Sequence, residues 1–361
     1  MSRLEPGDRA AWASVEAHTA DLCAIPSVTG NEAACADHVE GVLRRTRLQV
    51  DRIGETVVAR GPRTDRPLVL LVGHTDTVPG HVALRREGDR LYGRGASDMK
   101  GGLAVMLTLA ERHAPEEGPY DLGYVFYDRE EGPWIHSGLG PVLDQVGWLR
   151  QASLAFCLEP SDNEVQVGCM GTLHARVSFP GVAAHSARPW QGENAIHAAG
   201  PLLVALGARA PRDVDCGGFV YREVLSATIA NGGGARNVIP DRFELNLNFR
   251  FAPGRSVEDA GDELSTFVRT HAPRATVEMV ERAPSGRVVT ENPLLRRFVA
   301  LNGSTVTPKQ AWTDVARLSQ VGIDAVNLGP GLTAQAHKID EYVEVALLHA
   351  SWDQFARFLS A

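Results

Sequence analysis

The 361-residue sequence predicts an α/β fold, a mostly parallel sheet into which a smaller α+β domain of ferredoxin-like order is inserted. Three observations point there. The chain is longer than one compact core usually holds, which favours two domains. Its opening alternates strand patterns with helical ones, the mark of a parallel sheet covered on both faces. From about Gly171 the order becomes β-α-β-β-α-β, the split βαβ arrangement.

Apolar residues at helical spacing predict helices over Ala10–Ala24 and Glu32–Arg45, separated by the turn Ile25-Pro26-Ser27-Val28-Thr29-Gly30. Strands follow at Gln49–Ile53 and Thr56–Ala59. Leu68–Val72 is an unbroken apolar run, as expected of a strand buried on both faces. A helix over Gly101–Arg112, a strand over Leu122–Tyr127, a further helix and a strand over Leu154–Leu158 complete the alternation. Ligands of such a sheet sit beyond the carboxyl ends of its strands. The inserted domain reads as strand Thr172–Phe179, helix Asn194–Ala208, strands Val224–Ala230 and Phe243–Phe251, helix Val257–Thr270 and strand Thr276–Val280. Helix Asn292–Leu301, strand Asp324–Leu328 and helix Val343–Leu359 close the chain. The expected division is a discontinuous catalytic domain, residues 1–170 and 285–361, around an inserted domain, residues 171–284.

Composition narrows the function. Lys and Arg number 36 against 44 Asp and Glu, a formal charge of −8 that argues against a nucleic-acid partner. No apolar run approaches the roughly 20 residues of a spanning helix. Met1–Asp8 lacks the apolar core of a secretory signal. The 5 cysteines, at 23, 35, 157, 169 and 216, are scattered without a C-x-x-C pair. That pattern argues against a disulfide framework or thiolate metal site and fits a reducing cytoplasm. Lys100 is the only lysine before Lys309 although arginine is plentiful, which reads as coding bias without mechanistic content.

The phosphate-binding P-loop, the G-x-S-x-G elbow and H-E-x-x-H are all absent. What remains are polar residues at strand ends. In Gly73-His74-Thr75-Asp76, residues two apart in an extended chain share a side, so Asp76 can orient His74 as a ligand. Alone, the pair fits loop closure equally well. Asp98, within Gly93-Arg94-Gly95-Ala96-Ser97-Asp98-Met99-Lys100-Gly101, fits a ligand or a helix cap. Glu130-Glu131 after Tyr127 are costly to bury without a cation, and fit a solvated loop otherwise. Glu159 before Pro160 fits a surface residue at a proline turn, and His337 before the last helix fits a packed or capping histidine. Together, two histidines and several carboxylates at successive strand ends point to a divalent cation, zinc foremost.

These stretches, H-T-D, G-R-G-x-x-D-M-K-G, E-E-G, E-P and A-H-x-x-x-E, resemble the metallopeptidase M20 family in the same order along nearly the whole chain. Ala184–Trp190, Ala235–Pro240, Asn248–Pro253 and Trp312–Arg317 are most similar to the shorter, actinobacterial-type members that hydrolyse N-succinyl-LL-2,6-diaminopimelate. The resemblance implies a two-zinc catalytic domain with a lid and dimerisation domain, cobalt being able to substitute. It implies that His74 and Glu159 hold one zinc, Glu131 and His337 the other, and that Asp98 bridges them through a cis Asp98–Met99 peptide. Asp76 stands behind His74, and Glu130 is the general base and acid. His185 is implied as an oxyanion donor to the partner subunit of a homodimer. Arg188, Asn237, Arg250 and Thr313 are implied to bind the small N-acyl amino acid. The chain departs from the longer members at Cys169-Met170, where they carry an arginine pair, and Arg188 is the expected substitute for that charge. Alternative functions are a deacylase of acetylornithine or acetylcitrulline type, a small carboxypeptidase, or a non-catalytic metal-dependent binding protein.

Overall fold

The computed structural model describes residues 4–113 and 118–361. The chain forms two compact units. One comprises Met1–Gly168, Arg287–Lys309 and Thr313–Ala361, and the other Cys169–Gly286 with Gln310–Trp312. The segment Gln310–Trp312 thus packs with the second unit, not with the flanking chain of the first. Among the described residues no helix is long and apolar enough to cross a membrane.

The first unit is built on an eight-stranded sheet. Leu68–His74 runs at its centre, parallel to Asp121–Tyr127 on one side and Leu154–Cys157 on the other. Every residue of Leu68–His74 and Asp121–Tyr127 is buried, which explains why no polar alternation marks them. Thr56–Arg60 and Gln49–Ile53 extend one flank antiparallel. Ala325–Asn327 continues the other flank in parallel, followed by the short strands Val165–Val167 and Val306–Pro308. Helices Arg9–Ala24, Gly101–Arg112 and Val345–Ser360 pack against one another. Phe156, Phe298, Phe355 and Phe358 meet edge-to-face or tilted, fastening the terminal helices to the sheet. Gly73 lets Met99 and Leu103 close onto the strand end. A Cβ there would stand 2.5 Å from Met99 Cε and 2.6 Å from Leu103 Cδ2.

Val343 and Glu344, expected at the start of the last helix, instead form the strand Tyr342–Glu344. It pairs with Arg90–Tyr92 in a three-stranded sheet with Arg85–Glu87, and the helix begins at Val345. The apolar spacing cannot reveal this, because the strand's partner lies far away in the sequence.

The second unit is a five-stranded antiparallel sheet in the order Arg212–Asp215, Val220–Gly232, Arg242–Phe251, Gly171–Pro180, Thr276–Ala283. Phe243, Leu245, Leu247, Phe249 and Phe251 alternate inward against Leu264 and Val268 of helix Val257–His271. The expected helix Asn194–Ala208 is two, Ala195–Ala198 and Gly200–Ala208. Pro201 has no N–H to continue the ladder, so the helix restarts around it. Arg212–Asp215 covers only Val220–Glu223 of its neighbour, leaving Val224–Gly232 as a sheet edge.

Asp121 anchors the start of its strand. Its side chain is 2% exposed and accepts from Thr64 N–H at 2.7 Å, Thr64 Oγ at 2.9 Å, and Arg63 and Arg66 at 3.0 Å each. Burial pushes its carboxyl up, but the Thr64 and Arg66 donors outweigh burial and hold it below the usual range. A depressed folded-state pKa adds stability above the unfolded value, and that stability disappears as pH falls through the folded value. Asp121→Asn should therefore cost about 1–3 kcal/mol in urea unfolding at pH 7. The difference from the unaltered chain should hold down to pH ~5 and narrow below ~4. A pH-independent difference would assign the cost to packing alone.

Candidate functional site

The central strand ends in the buried polar run His74, Thr75, Asp76, Thr77. His74 Nδ1 lies 3.0 Å from the Asp76 carbonyl oxygen and 3.4 Å from Asp76 Oδ1. With Nδ1 donating there, Nε2 faces Asp98 Oδ1 at 3.2 Å and Glu159 Oε1 at 3.9 Å. A nitrogen lone pair aimed at two carboxylates requires a cation between them or a proton on the ring. Burial lowers the His74 pKa, but Asp76, Asp98 and Glu159 overcome it and hold the ring well above its usual value.

Asp76 ties two loops to this histidine. Its carboxylate accepts the backbone N–H of Glu130 at 2.9 Å, that of Glu131 at 3.1 Å and the Thr29 hydroxyl at 2.9 Å. Burial raises its carboxyl, yet His74 and these donors bring it below the ordinary range.

Asp98 does not cap the Gly101–Arg112 helix, whose first turn has no side-chain cap. It is presented instead by the loop Gly93–Lys100, which Glu341 organises. Glu341 accepts N–H groups from Gly95 at 2.8 Å and from Ser97 and Asp98 at 3.0 Å each, and pairs with Arg94 at 3.1 Å. Gly95 takes φ +81°, a left-handed conformation that suits glycine. The Asp98–Met99 peptide is cis.

Asp98 Oδ2 lies 3.6 Å from His337 Nε2, which is 3.0 Å from Glu131 Oε1. Arg129 and His337 both have left-handed φ, 60° and 64°. Such outliers cluster where side chains must be aimed.

Two donor sets emerge, His74–Asp98–Glu159 and Asp98–Glu131–His337, each with ligand atoms within 4.8 Å of one another. They share Asp98. His74, Glu130 and Glu131 satisfy the same criterion, so distance alone does not separate Glu130 from the ligands. Glu159 Oε1 is buried without a hydrogen-bond partner among the described residues. Burial, opposed by His74 and reinforced by Asp98, pushes the Glu159 carboxyl up to about 7. Burial likewise holds Glu130 well above its usual value, with His74 opposing and Glu159 and Glu131 adding to it. Imidazoles and carboxylates crowded in this way fit divalent cations, which would relieve the repulsion among the carboxylates.

Sequence reasoning gave no role to Glu341, the last residue of the A-H-x-x-x-E stretch, and none to two lysines. Lys100 Nζ donates to the Ile25 carbonyl and Lys309 Nζ to that of Pro160, each at 2.8 Å. Both side chains are buried, and the Lys309 charge lowers the carboxyls of Asp98 and Glu159, so the sparse lysines are not coding bias alone. The available signal was their survival in a chain that otherwise uses arginine. Asp314 was missed too, a fully buried carboxylate paired with Arg317 at 2.9 Å. Thr313 beside it is buried, and its carbonyl accepts Ala316 N–H at 3.0 Å.

The second unit holds the other candidates. His185 pairs with Val238, and Ser186 N–H donates to the Asn237 carbonyl at 2.9 Å. Arg188 N–H donates to the His185 carbonyl at 2.8 Å, so His185, Arg188 and Asn237 share one exposed corner. Ala187 N–H donates to His185 Nδ1 at 3.1 Å, which leaves the ring proton on Nε2. Arg250 is elsewhere, near the far end of strand Arg242–Phe251, with Nε on Asn248 Oδ1 at 3.1 Å. Cys169 and Met170 are fully buried.

Glu341→Ala would leave three loop N–H groups without their acceptor. Outer partners of ligands typically contribute 10–100-fold to metal affinity. A loss of about that size, read by competition with a chelator, is the expected outcome. Unchanged affinity would reduce Glu341 to a loop anchor with no bearing on Asp98.

The sequence matches Peptidase family M20/M25/M40 over residues 70–361. It is 41% identical over 345 residues to a Mycobacterium tuberculosis protein provisionally named succinyl-diaminopimelate desuccinylase, spanning 94% of this chain and 96% of that one. A succinyl-diaminopimelate desuccinylase of Corynebacterium glutamicum is 36% identical over 335 residues, 91% of each chain. In fold the chain is similar to a Staphylococcus aureus tripeptidase, with TM-score 0.81, 19% identity, and coverage of 97% of this chain and 98% of that one. A Bacillus subtilis protein described as a dinuclear metal-binding peptidase aligns with TM-score 0.71 at 16% identity, over 98% of each chain. The chain belongs to peptidase family M20/M25/M40 and is a metal-dependent amidohydrolase.

Proposed function

We propose that this enzyme hydrolyses the amide bond of N-succinyl-LL-2,6-diaminopimelate, giving succinate and LL-2,6-diaminopimelate. The observation that carries the reading is the pair of full-length relatives bearing that activity in their names. The two donor sets that meet at Asp98 agree with it. In this reading His74 and Glu159 hold one zinc, Glu131 and His337 the other, and Asp98 is shared. Bound there, the metals would polarise the amide carbonyl and acidify water from a pKa of ~16 towards neutrality.

The protein's own groups divide the remaining work. Asp76 fixes the His74 tautomer through Nδ1 and sets the backbone of Glu130 and Glu131. Glu130 takes the proton from the attacking water and delivers it to the leaving amine nitrogen. That transfer needs a carboxylate outside the donor sets, since a metal-bound oxygen is a weak base. His185 offers its Nε2–H to the developing oxyanion. Arg188, Asn237, Arg250 and Thr313 bind the carboxylates and polar groups of the substrate.

Geometry supports a homodimer as the working form. The His185–Val238 bridge adjoins the Arg242 end of its strand, while Arg250 stands near the other end. Eight extended residues separate Arg242 from Arg250, roughly 27 Å. One lid therefore cannot bring both ends to a single small ligand, whereas lids from two subunits can. The open edge Val224–Gly232 and the exposed Leu203 (40%), Val204 (74%) and Ile229 (56%) are features that a symmetric partner would cover. The scattered cysteines, without a C-x-x-C pair, agree with a cytoplasmic location.

Glu130→Ala should retain its metals and lose about 10²–10⁴-fold in turnover. Metal loss in step with activity would make Glu130 a ligand. His185→Ala should lose about 10²–10³-fold with metal content intact. Mixing these two inactive variants should restore activity, because one site of each mixed dimer then carries neither defect. No recovery after proven subunit exchange would mean that His185 acts within its own chain or not at all. Against a panel of succinyl and acetyl substrates, the succinyl-diaminopimelate amide should be cleaved best. Preference for acetylornithine or a dipeptide would replace the substrate and keep the chemistry.

A further inference from the structure

Helix Arg9–Ala24 and helix Ala33–Leu43 bring together a separate donor group that the hydrolytic chemistry does not use. His18 and Asp21 lie one turn apart on the first helix and share a face. His38 comes from the second helix. One ligand atom from each of the three lies within 4.8 Å of the others.

The ring nitrogens there are prepared for a ligand. His18 Nε2 lies 3.0 Å from Glu111 Oε2, an arrangement that fixes the tautomer with the lone pair on Nδ1. His18 Nδ1 is buried with no hydrogen-bond partner among the described residues, and so is His38 Nε2. Leaving two buried nitrogens unanswered is costly unless something occupies the space between the helices. Asp21 is exposed, so the group opens to solvent on the carboxylate side. Arg45, whose charge opposes a cation near His38, directs Nη1 to the Gly41 carbonyl at 2.9 Å.

We propose that His18, Asp21 and His38 form an additional cation site, taking a borderline divalent ion such as zinc, with water completing the coordination. Two imidazoles and one carboxylate are a donor set that such ions favour. The ion clips the first two helices together across the segment between Asp21 and His38. That segment braces the catalytic strand end. Ser27 Oγ donates to the Thr75 carbonyl at 2.7 Å, and Thr29 holds Asp76 Oδ2 at 2.9 Å. The clip is thus a structural support for the loop behind Asp76, separate from the catalytic donor sets.

The test uses the full chain equilibrated with buffered zinc chloride and then analysed for metal per chain, beside His38→Ala and Asp21→Asn. Each variant should hold one equivalent fewer than the unaltered chain, whatever number the catalytic centre itself takes. Hydrolytic activity should persist in both, and excess zinc should raise the melting temperature of the unaltered chain more than theirs. Asp21→Asn alters an exposed side chain, so it serves if His38→Ala fails to fold. Equal zinc content in the unaltered chain and the variants would overturn the site.

Discussion

A buried carboxylate is costly unless donors surround it, and Asp76 meets that condition with groups from separate parts of the chain. Its acceptors are satisfied by Glu130 N–H, Glu131 N–H and Thr29 Oγ, while its carboxylate stands beside His74. Those donors come into reach because Leu68–His74 and Asp121–Tyr127 pair in parallel register, with His74 opposite Tyr127. Thr75 N–H continues the ladder to the Tyr127 carbonyl at 2.7 Å. A slip of that register would turn the strand-end side chains to opposite faces and unmake the site. The site is therefore a consequence of sheet pairing, and the sheet's apolar burial holds it in place.

Around Asp76 the negative charges outnumber what the chain itself neutralises. Glu159 and Glu130 are raised by burial, and Asp98 stands between two histidines. The buried cations nearby do not pair directly with these carboxylates. Lys100 and Lys309 each donate to a backbone carbonyl, and Arg94 is occupied by Glu341. An arginine fork at Lys309 would reach for carboxylates in bidentate fashion and compete for the same oxygens as a metal. An ammonium on a carbonyl contributes positive potential without taking a ligand. This is a physical reason for lysine at position 309 in an arginine-rich chain.

What was legible in the sequence follows from periodicity. The helices Arg9–Ala24 and Gly101–Arg112 and the buried strand Leu68–His74 announce themselves through apolar spacing. His74, Asp98, Glu131 and Glu159 each had an ordinary reading alone and stood out only as a set, histidines and carboxylates recurring in order along the chain. Illegible features depend on pairing across the chain. Tyr342–Glu344 reads as helix until Arg90–Tyr92 offers it a ladder. Glu341 was visible as the end of the A-H-x-x-x-E stretch but its role was not, because its partners are backbone N–H groups, which every residue but proline carries. His38 has no sequence relation to His18 or Asp21, and only helix packing brings them together. The break at Pro201 was readable, but helical apolar spacing on both sides concealed it.

The second unit adds a constraint of length. Its sheet alternates an apolar face, Phe243 to Phe251, with a polar one carrying Asn246, Asn248 and Arg250. Asn246 and Asn248 both bond His174, at 3.1 and 3.0 Å, so the middle of that face is internally satisfied. Polar groups engaged with one another discriminate poorly among ligands, because releasing them costs what a ligand would return. In the proposed function, selectivity resides at the two ends, with Arg250 at one and the His185–Arg188–Asn237 corner at the other. A substrate with an anionic acyl tail and a distant zwitterionic centre presents charges to match separated donors. An acetyl group has no charge to offer an arginine at its end. The separation of those donors by a strand's length thus connects three features of the proposal, namely the succinyl group, the second subunit and the oxyanion donor.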